Sequence, residues 1–534
     1  MKLILPLISA CTLVLSLSIP TSPYYLAQQK ALTIPQWVGK FWNSVFLSEA
    51  SNEAIMRADF GSWLDQQRNI SFQGILNNIG GVSSLLDPKE VYDGVVIASP
   101  SKYMPNYFYQ WTRDAALTIK SLIDYLDDTR VSSDVAEVQK TVEDYISNNY
   151  ILQRLDNPSG TFGDDDKSGL GEPKFHPNNT AFEENWGRPQ RDGPGLRVTT
   201  ICAYLELIDK YQVPFIHLKS GKDVYTEIVK PDLVYIIKNW NRNGFDLWEE
   251  INAQHFFTSL TQLRALIDGS KLAKKYEPQD SGFIEELKNT FNDVRKYVEW
   301  EGGFIKSNVP YVIETPSLLS LGKRSGLNIA SLLASLHTHD LASKDYDNIP
   351  YDVDHNLVLS TLRLLITDMK FRYPINRKHI GVNNVGVALG RYPEDIYDGY
   401  GTSEGNPWFI STATASELIL RLIYKLETGR MNIVIDELNS DFFKQFVDYL
   451  EAGQTIVYGS LDYLELIDQL IKYSDSFLQI VKDHVDNEGH ISEQFNRYHG
   501  FMQGATDLTW SYSAVWNALR WREKVFRLLN PSKL

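Results

Sequence analysis

The sequence predicts an all-α protein built as a closed double ring of twelve helices, an (α/α)6 barrel. Three observations carry that expectation. Apolar residues recur at helical spacing through most of the chain from Asp59 onward, whereas strand-like alternation is short and rare. Long joints rich in Gly, Asp, Trp and Pro separate these windows, and the remaining joints are short and plain, as in a series of antiparallel helical hairpins. No Ser/Thr/Pro-rich linker breaks the pattern, and only a short tail follows the last window, so one large domain with no appended module is expected.

Taken in order, residues 1–22 read as a secretory signal peptide: Lys2 precedes an uncharged run from Leu3 to Ile19. An uncleaved anchor is the alternative, since the run is nearly long enough to cross a bilayer; Pro6, Pro20 and the small residues favour a signal. Residues 23–57 are expected to form an extension packed on the core, with Trp37, Phe41, Trp42 and Phe46 at near-helical spacing. Residues 58–534 are the expected catalytic domain. Helices are predicted at 59–78, 114–126, 132–151, 194–211, 223–240, 254–275, 280–299, 326–338, 355–370, 409–427, 441–452, 461–486 and 507–528, and strand-like alternation near Gly303 to Ile313. The long joints are 94–113, 154–193, 241–253, 303–325, 373–408 and 487–506. If long and short joints alternate, one end of the barrel collects every elaborate loop, and functional residues gather on loops held by a rigid scaffold.

Composition narrows the function. A net charge of −15 argues against nucleic acid, whose phosphates require a basic face. The chain has two cysteines, Cys11 in the expected signal and Cys202 in an apolar helical run, which leaves no internal disulfide and excludes a zinc–cysteine site. Twelve Trp and 29 Tyr hint at sugar binding, because sugar rings stack their C–H faces on aromatic planes, although core packing uses such residues too. The sequons Asn69-Ile-Ser71 and Asn178-Asn-Thr180 fit the secretory route.

The chemistry-bearing residues fall in the long joints. The first holds Tyr107, Tyr109, Trp111, Arg113 and Asp114: an aromatic wall beside two planar polar groups able to hold hydroxyl pairs. Asp114 also suits the first turn of a helix. The second sets Trp186, Arg188, Arg191 and Asp192 among Gly and Pro turn formers, which favours a binding role. The third, Gly244-Phe-Asp-Leu-Trp-Glu-Glu250, packs three carboxylates and Trp248 into five residues. Alone it would read as a core aromatic beside surface charges. An acid beside an indole also fits a proton donor, since an apolar neighbour raises its pKa. The fifth joint carries Arg391 and Trp408, and the sixth Ser492-Glu-Gln-Phe495 followed by Leu508-Thr-Trp-Ser-Tyr512.

Other signals are weak. The run from Asp164 begins like a calcium loop, but its twelfth position is Phe175 instead of Glu. His337-Thr-His-Asp340 lacks a distant further ligand, and no phosphate-cradling or dinucleotide Gly pattern is present. Neither a metal nor a cofactor is expected.

Together the motifs Tyr-Gln-Trp-Thr-Arg-Asp114, Trp-Gly-Arg-Pro-Gln-Arg-Asp-Gly-Pro194, Gly-Phe-Asp-Leu-Trp-Glu-Glu250, Gly-Arg-Tyr-Pro-Glu-Asp395 with Gly-Asn-Pro-Trp-Phe409, and Ser-Glu-Gln-Phe495 resemble the yeast-type fungal glucoamylases of glycoside hydrolase family 15, over about residues 58–530. The resemblance implies exo-hydrolysis of α-1,4-glucosidic bonds, and more slowly of α-1,6 bonds, from non-reducing ends, with inversion and release of β-D-glucose. It implies that Glu249 is the general acid and Glu493 the general base. It implies that Arg113 and Asp114 grip the terminal glucose, that Arg391 is another sugar ligand, and that Trp111, Trp186 and Trp408 wall the pocket. By the same resemblance Tyr107 lies near the attacking water, and Asp246 and Glu250 tune the acid and bind the next sugar. Trp248 completes the expected binding residues. No starch-binding domain is expected. An α-glucan substrate, a monomer without stable membrane association, and an extracellular or vacuolar destination complete the expectation. The alternatives are a trehalase- or dextran-type glucosidase on the same scaffold, and a non-catalytic glucan-binding protein.

Overall fold

A computed structural model describes residues 60–131, 135–339 and 349–530. The signal and the 23–57 extension, Cys11 and Asp340 lie outside the described residues. The chain divides at Trp63/Leu64 into two units, the larger running from Leu64 onward.

Among the described residues, twelve helices of nine residues or more alternate between two rings. They are α1 (Phe60–Asn77), α2 (Thr112–Thr129), α3 (Ala136–Leu152), α4 (Gly193–Tyr211), α5 (residues 221–239, with a π turn at Tyr225–Val229), α6 (Phe256–Tyr276), α7 (Ser281–Lys296, running on as a π turn), α8 (Ala330–Thr338), α9 (Asn356–Arg372), α10 (Phe409–Gly429), α11 (Leu461–His484) and α12 (Thr509–Leu529). The even-numbered helices form the inner ring: α2 packs on α4, α4 on α6, α6 on α8, α8 on α10, α10 on α12, and α12 back on α2. The odd-numbered helices back them, α3 on α2, α5 on α4, α7 on α6, α9 on α8 and α11 on α10. Phe72 of α1 packs between Tyr125 of α2 and Trp516 of α12, with ring centroids 4.3 and 5.8 Å away. The closed (α/α)6 architecture is therefore as expected.

Sequence explains which ring each helix joins. The inner helix α10 is buried almost all round, from Phe409 to Ile423, whereas the outer α7 buries only the stripe Leu287, Thr290 and Val294. Polar residues inside the ring pair with one another, as Ser121 of α2 does with Ser513 of α12 at 2.8 Å. Arg197 of α4 is bidentate to Asp232 of α5 at 2.6 and 2.8 Å, both buried. Removing one partner of such a pair costs about 3–5 kcal/mol.

Helix starts differ between the rings. Three outer helices begin with side-chain caps, Ser220, Asp280 and Ser460 each accepting from the backbone N–H three residues on, and α9 with His355 accepting from Leu357 N–H, while α3 starts at Val135 without one. No inner helix has a side-chain bond from its own N-cap residue. Instead, distant loop carbonyls take their N–H groups: Pro173 O from Thr112, Glu314 O from Phe256, Glu493 O from Phe409, and Ala98 O from Thr509. The long joints are thereby bonded onto the inner ring at one end.

Two expectations are corrected. Residues 441–452 do not form a helix; a single turn, Ser440–Phe443, gives way to hydrogen-bonded turns that bury Phe442, Phe443, Val447 and Leu450. That joint, 430–460, is long although it lies at the plain end. Residues 303–313 form no strand: Ile313 N–H donates to Phe304 O at 2.8 Å, but no ladder follows. The strands among the described residues are two-residue antiparallel pairs. Three brace the elaborate joints: β1 (Gln110–Trp111) with β2 (Lys174–Phe175), β3 (Gly244–Phe245) with β4 (Asn252–Ala253), and β7 (Gln494–Phe495) with β8 (Met502–Gln503). The fourth joins β5 (Ile433–Val434) to β6 (Thr455–Ile456).

Candidate active site

The third joint folds into a tight turn between β3 and β4, and Asp246 fixes it. Its carboxylate oxygen Oδ1 accepts the N–H groups of Glu250 and Ile251, each at 2.8 Å, while its carbonyl accepts from Glu249 N–H at 2.9 Å. Asp246 is 3% exposed, so it serves as the internal brace of the turn. The turn holds Glu249 in the left-handed region, at φ 67°, a conformation that costs a non-glycine residue about 1–2 kcal/mol.

Glu249 and Glu250 then face different partners. Glu249 Oε1 accepts from Trp111 Nε1 at 2.6 Å and from Gln190 Nε2 at 2.8 Å. Arg113 Nη2 stands 3.8 Å from the same oxygen. Glu250 Oε1 accepts from Arg391 at 2.8 Å, and its Oε2 from Arg324 at 2.9 Å and Tyr392 Oη at 2.5 Å. Burial opposes the Glu250 charge, but Arg391, Tyr392 and Arg324 outweigh it and hold the carboxyl below its ordinary value. Glu250 is thus an ionised acceptor and has no proton to give. The indole beside the acid is not the expected one: Trp248 turns its Nε1 to Asn328 at 3.1 Å and its ring to Trp408 and Trp510. Trp111 reaches Glu249 through its polar N–H edge.

The sixth joint supplies Glu493, 1% exposed. Burial raises its carboxyl above the ordinary range, against the hydroxyls of Tyr107 and Tyr397 and the charge of Arg391. Those hydroxyls bond one another at 2.9 Å. Burial and then Glu493 itself push both phenols up, so they stay protonated donors. Gly504, on the return of the β7–β8 hairpin, makes room for the carboxyl: a Cβ there would lie 2.2 Å from Glu493 Oε2, and its φ is 75°. The two carboxyl loops meet through the fifth joint. Trp408 bridges to Gln494 through the backbone, its ring lies 5.5 Å from Trp248, and Arg391 stacks near Trp248, Tyr397 and Trp408 at 5.2–5.3 Å.

The remaining expected residues surround these. Arg113 is buried and pairs with Asp192 at 3.0 Å and Asp114 at 3.6 Å. Burial works against its charge, but the surrounding carboxylates outweigh it and raise its pKa. Burial pushes Asp114 up to about 6, against the pull of Arg113. Trp186 is 37% exposed and lies 6.2 Å from Trp111 at the outer wall. Tyr109, Trp111, Phe182 and Trp186 enclose the ammonium of Lys174, 3.5–4.8 Å from each ring centroid. Burial lowers Lys174 to about 8.

Two arginines expected to bind ligand are structural. Arg188 is spent on Glu172 and the carbonyls of Phe182 and Glu184, and Arg191 on Asn243 O and Tyr235 Oη. Asp164 closes its own turn onto Thr161 and Ser168. Sequence reasoning missed Gln190, Tyr392, Tyr397 and Arg324. Gln190 and Tyr392 stand inside motifs already singled out, and Tyr397 just beyond one; their signal was proximity. Arg324 carried no signal. Of the two sequon asparagines, Asn178 is exposed in a turn with Thr180 Oγ1 donating to its Oδ1 at 2.7 Å. Asn69 is exposed on α1, with Ser71 buried beside it.

Comparison with known proteins follows this geometry. The family model for glycosyl hydrolases family 15 matches residues 69–520. A glucoamylase of Saccharomycopsis fibuligera is 39% identical over 496 residues, covering 89% of this chain and 92% of that protein. The intracellular, sporulation-specific glucoamylase of Saccharomyces cerevisiae is 40% identical over 503 residues, covering 90% and 87%. The solved structure of a Saccharomycopsis fibuligera glucoamylase superposes with a TM-score of 0.83 over 88% of this chain and 97% of that one.

Proposed function

The chain belongs to glycosyl hydrolase family 15 and is a glucoamylase-type hydrolase, and from that premise we propose an exo-acting, inverting enzyme. It releases β-D-glucose from the non-reducing ends of α-1,4-glucans and cleaves α-1,6 bonds more slowly. The observation that carries this reading is the unequal treatment of two adjacent carboxyls. Glu250 is held ionised by two guanidinium groups and a phenol, while Glu249 has one oxygen held and the other without a hydrogen bond among the described residues.

Glu249 donates its proton to the glycosidic oxygen as the C1–O bond breaks. Glu493 takes a proton from water as the water oxygen attacks C1 from the opposite face, so the new hydroxyl is β. An inverting pair needs roughly 6.5–9.5 Å between carboxyls to admit that water, and residues on two different joints suit such a gap better than neighbours in sequence. The hydroxyls of Tyr107 and Tyr397 stabilise the base as an anion. Arg113, Asp114 and Arg391 orient the terminal glucose, and Trp111, Trp186, Trp248 and Trp408 wall its pocket, so that binding energy remote from C1 aligns the bond. Asp246 holds the acid turn, and Glu250 accepts from the next sugar.

Maltoheptaose hydrolysis followed by NMR tests the reaction: early β-glucose is expected, and early α-glucose or maltose refutes it. Glu249→Gln is expected to lower kcat by about 10²–10⁴-fold, the span of general acid catalysis, with substrate binding largely kept. Full turnover by that variant ends the assignment. We further propose a secretory route with an extracellular or vacuolar destination, residues 1–22 as the signal, Asn178 ahead of Asn69 as the glycan acceptor, and a monomeric enzyme. Mass spectrometry of the mature protein and light scattering test these points.

A further inference from the structure

We propose that Gln190 is the positioning residue that decides which oxygen of Glu249 carries the catalytic proton. The proposal rests on the reading of Glu249 as general acid. Gln190 is 3% exposed and its backbone is held from two sides, by a bond from its N–H to Gly171 O at 2.9 Å and a bridge to Phe245 at the foot of the acid turn. Its side-chain oxygen accepts from Arg113 Nη1 at 2.8 Å. A guanidinium only donates, so the amide cannot flip, and its nitrogen must face the other way. The two amide hydrogens go to Gly187 O at 2.9 Å and Glu249 Oε1 at 2.8 Å.

Glu249 Oε1 therefore accepts two directed donors, Gln190 Nε2 and Trp111 Nε1 at 2.6 Å. A carboxyl oxygen offers two lone-pair positions, so a proton on Oε1 would break one of these bonds. The proton sits on Oε2. Gln190 has a second effect. With Asp192, which accepts from the same Arg113 Nη1 at 3.0 Å, it holds that nitrogen away from the acid, and Nη2 stands 3.8 Å from Glu249 Oε1. A closer guanidinium would favour the carboxylate and strip the acid of its proton. Trp111 alone could not do both jobs, because an indole donates one bond and has no acceptor with which to hold Arg113.

The test uses two variants of the full chain. Gln190→Met removes both effects at similar length, leaves Arg113 Nη1 with Asp192 as its remaining acceptor, and is expected to move the basic limb of kcat/KM to lower pH. Gln190→Glu still accepts from Arg113 but sets a second carboxylate against Glu249, and is expected to move that limb to higher pH. On maltose, Gln190→Met should lose about 10- to 100-fold in kcat, a fraction of a general acid's contribution, with KM nearly unchanged. On α-glucosyl fluoride, whose leaving group departs without a proton, it should retain most of its activity. Basic limbs that stay put or move together, or equal losses on both substrates, overturn the inference. Glu249→Gln run in parallel separates the two readings: if it loses maltose hydrolysis and keeps fluoride hydrolysis, the acid stands whatever Gln190 does; if it keeps maltose hydrolysis, the acid assignment itself fails.

Discussion

Replacing Tyr397 by Phe removes one hydroxyl and leaves a ring. The ring keeps its packing, 6.2 Å from Trp408 and 5.3 Å from the Arg391 guanidinium, so the pocket wall and KM should change little. The hydroxyl is what matters to Glu493. It stabilises the carboxylate directly and holds the Tyr107 hydroxyl at 2.9 Å. A hydrogen bond to a charged group contributes about 1.5–3 kcal/mol, and one pKa unit corresponds to about 1.4 kcal/mol. Its loss should therefore raise the Glu493 pKa by about 1–2 units. The base must be ionised to take a proton from water, so activity falls as pH drops through that pKa. A higher pKa moves the acid limb of kcat/KM to higher pH. The limb in kcat/KM reports the free enzyme, the state described above. Tyr107→Phe should do the same, and the double variant should shift less than the sum, because each hydroxyl orients the other. An acid limb that stays in place, or moves to lower pH, refutes the role assigned to these phenols.

Other outcomes follow from the same geometry. Glu250→Gln weakens charge-assisted bonds to Arg391 and Arg324; at about 1.5–3 kcal/mol it should raise KM about tenfold or more and affect kcat less, and a change confined to kcat would count against it. Glu314 is fully buried with Oε1 on Phe257 N–H and no hydrogen-bond partner for Oε2 among the described residues, and burial raises its carboxyl well above the ordinary value. Its folded form prefers the proton, so stability is full below the unfolded pKa of about 4.3 and declines as pH rises towards the folded one. Glu314→Gln should thus gain Tm relative to the parent at pH 7 and not at pH 4, and a gain independent of pH would contradict this. Gly504→Ala forces a Cβ to within 2.2 Å of Glu493 Oε2 at a φ of 75°; a more than tenfold loss in kcat is expected, and parental kinetics would show that the hairpin can yield.

Helix positions were legible because burial imposes a 3.6-residue rhythm on either ring. The same rhythm misled at 441–452, where Phe442, Phe443, Phe446, Val447 and Leu450 repeat at helical spacing but the chain meets it with one helical turn and successive tight turns. Periodicity reports which side chains are covered; it does not report the backbone bonds beneath them. The loops that carry Glu249 and Glu493 were legible because carboxylates and aromatics crowd into long joints, and the roles proposed for the two come from the family resemblance. The side chains that hold Glu249 in place were not. Gln190 is a neutral amide whose role exists only once Arg113 and Glu249 stand on either side of it, and Arg324 comes from a joint with no motif of its own. Arg188 and Arg191 show the converse: charged side chains among turn formers were spent on carbonyls and on Glu172 to hold the loop that carries Gln190.

The inner helices open towards the carboxyl loops without a side-chain bond from their N-cap residues. Each helix start has a partial positive charge of roughly half a unit from its aligned peptides. Six of them around one opening give a counter-charge that has no pKa, cannot be neutralised by acid, and is made of main chain that no substitution removes. A protein carrying −15 overall can in this way gather Asp114, Asp192, Asp246, Glu249, Glu250, Asp395 and Glu493 near one opening. Mobile ions screen the exposed surface within about 10 Å at 0.1 M salt but reach buried charges much less. Added salt should therefore alter the solubility and association of this acidic chain well before it moves the acid limb of its pH profile.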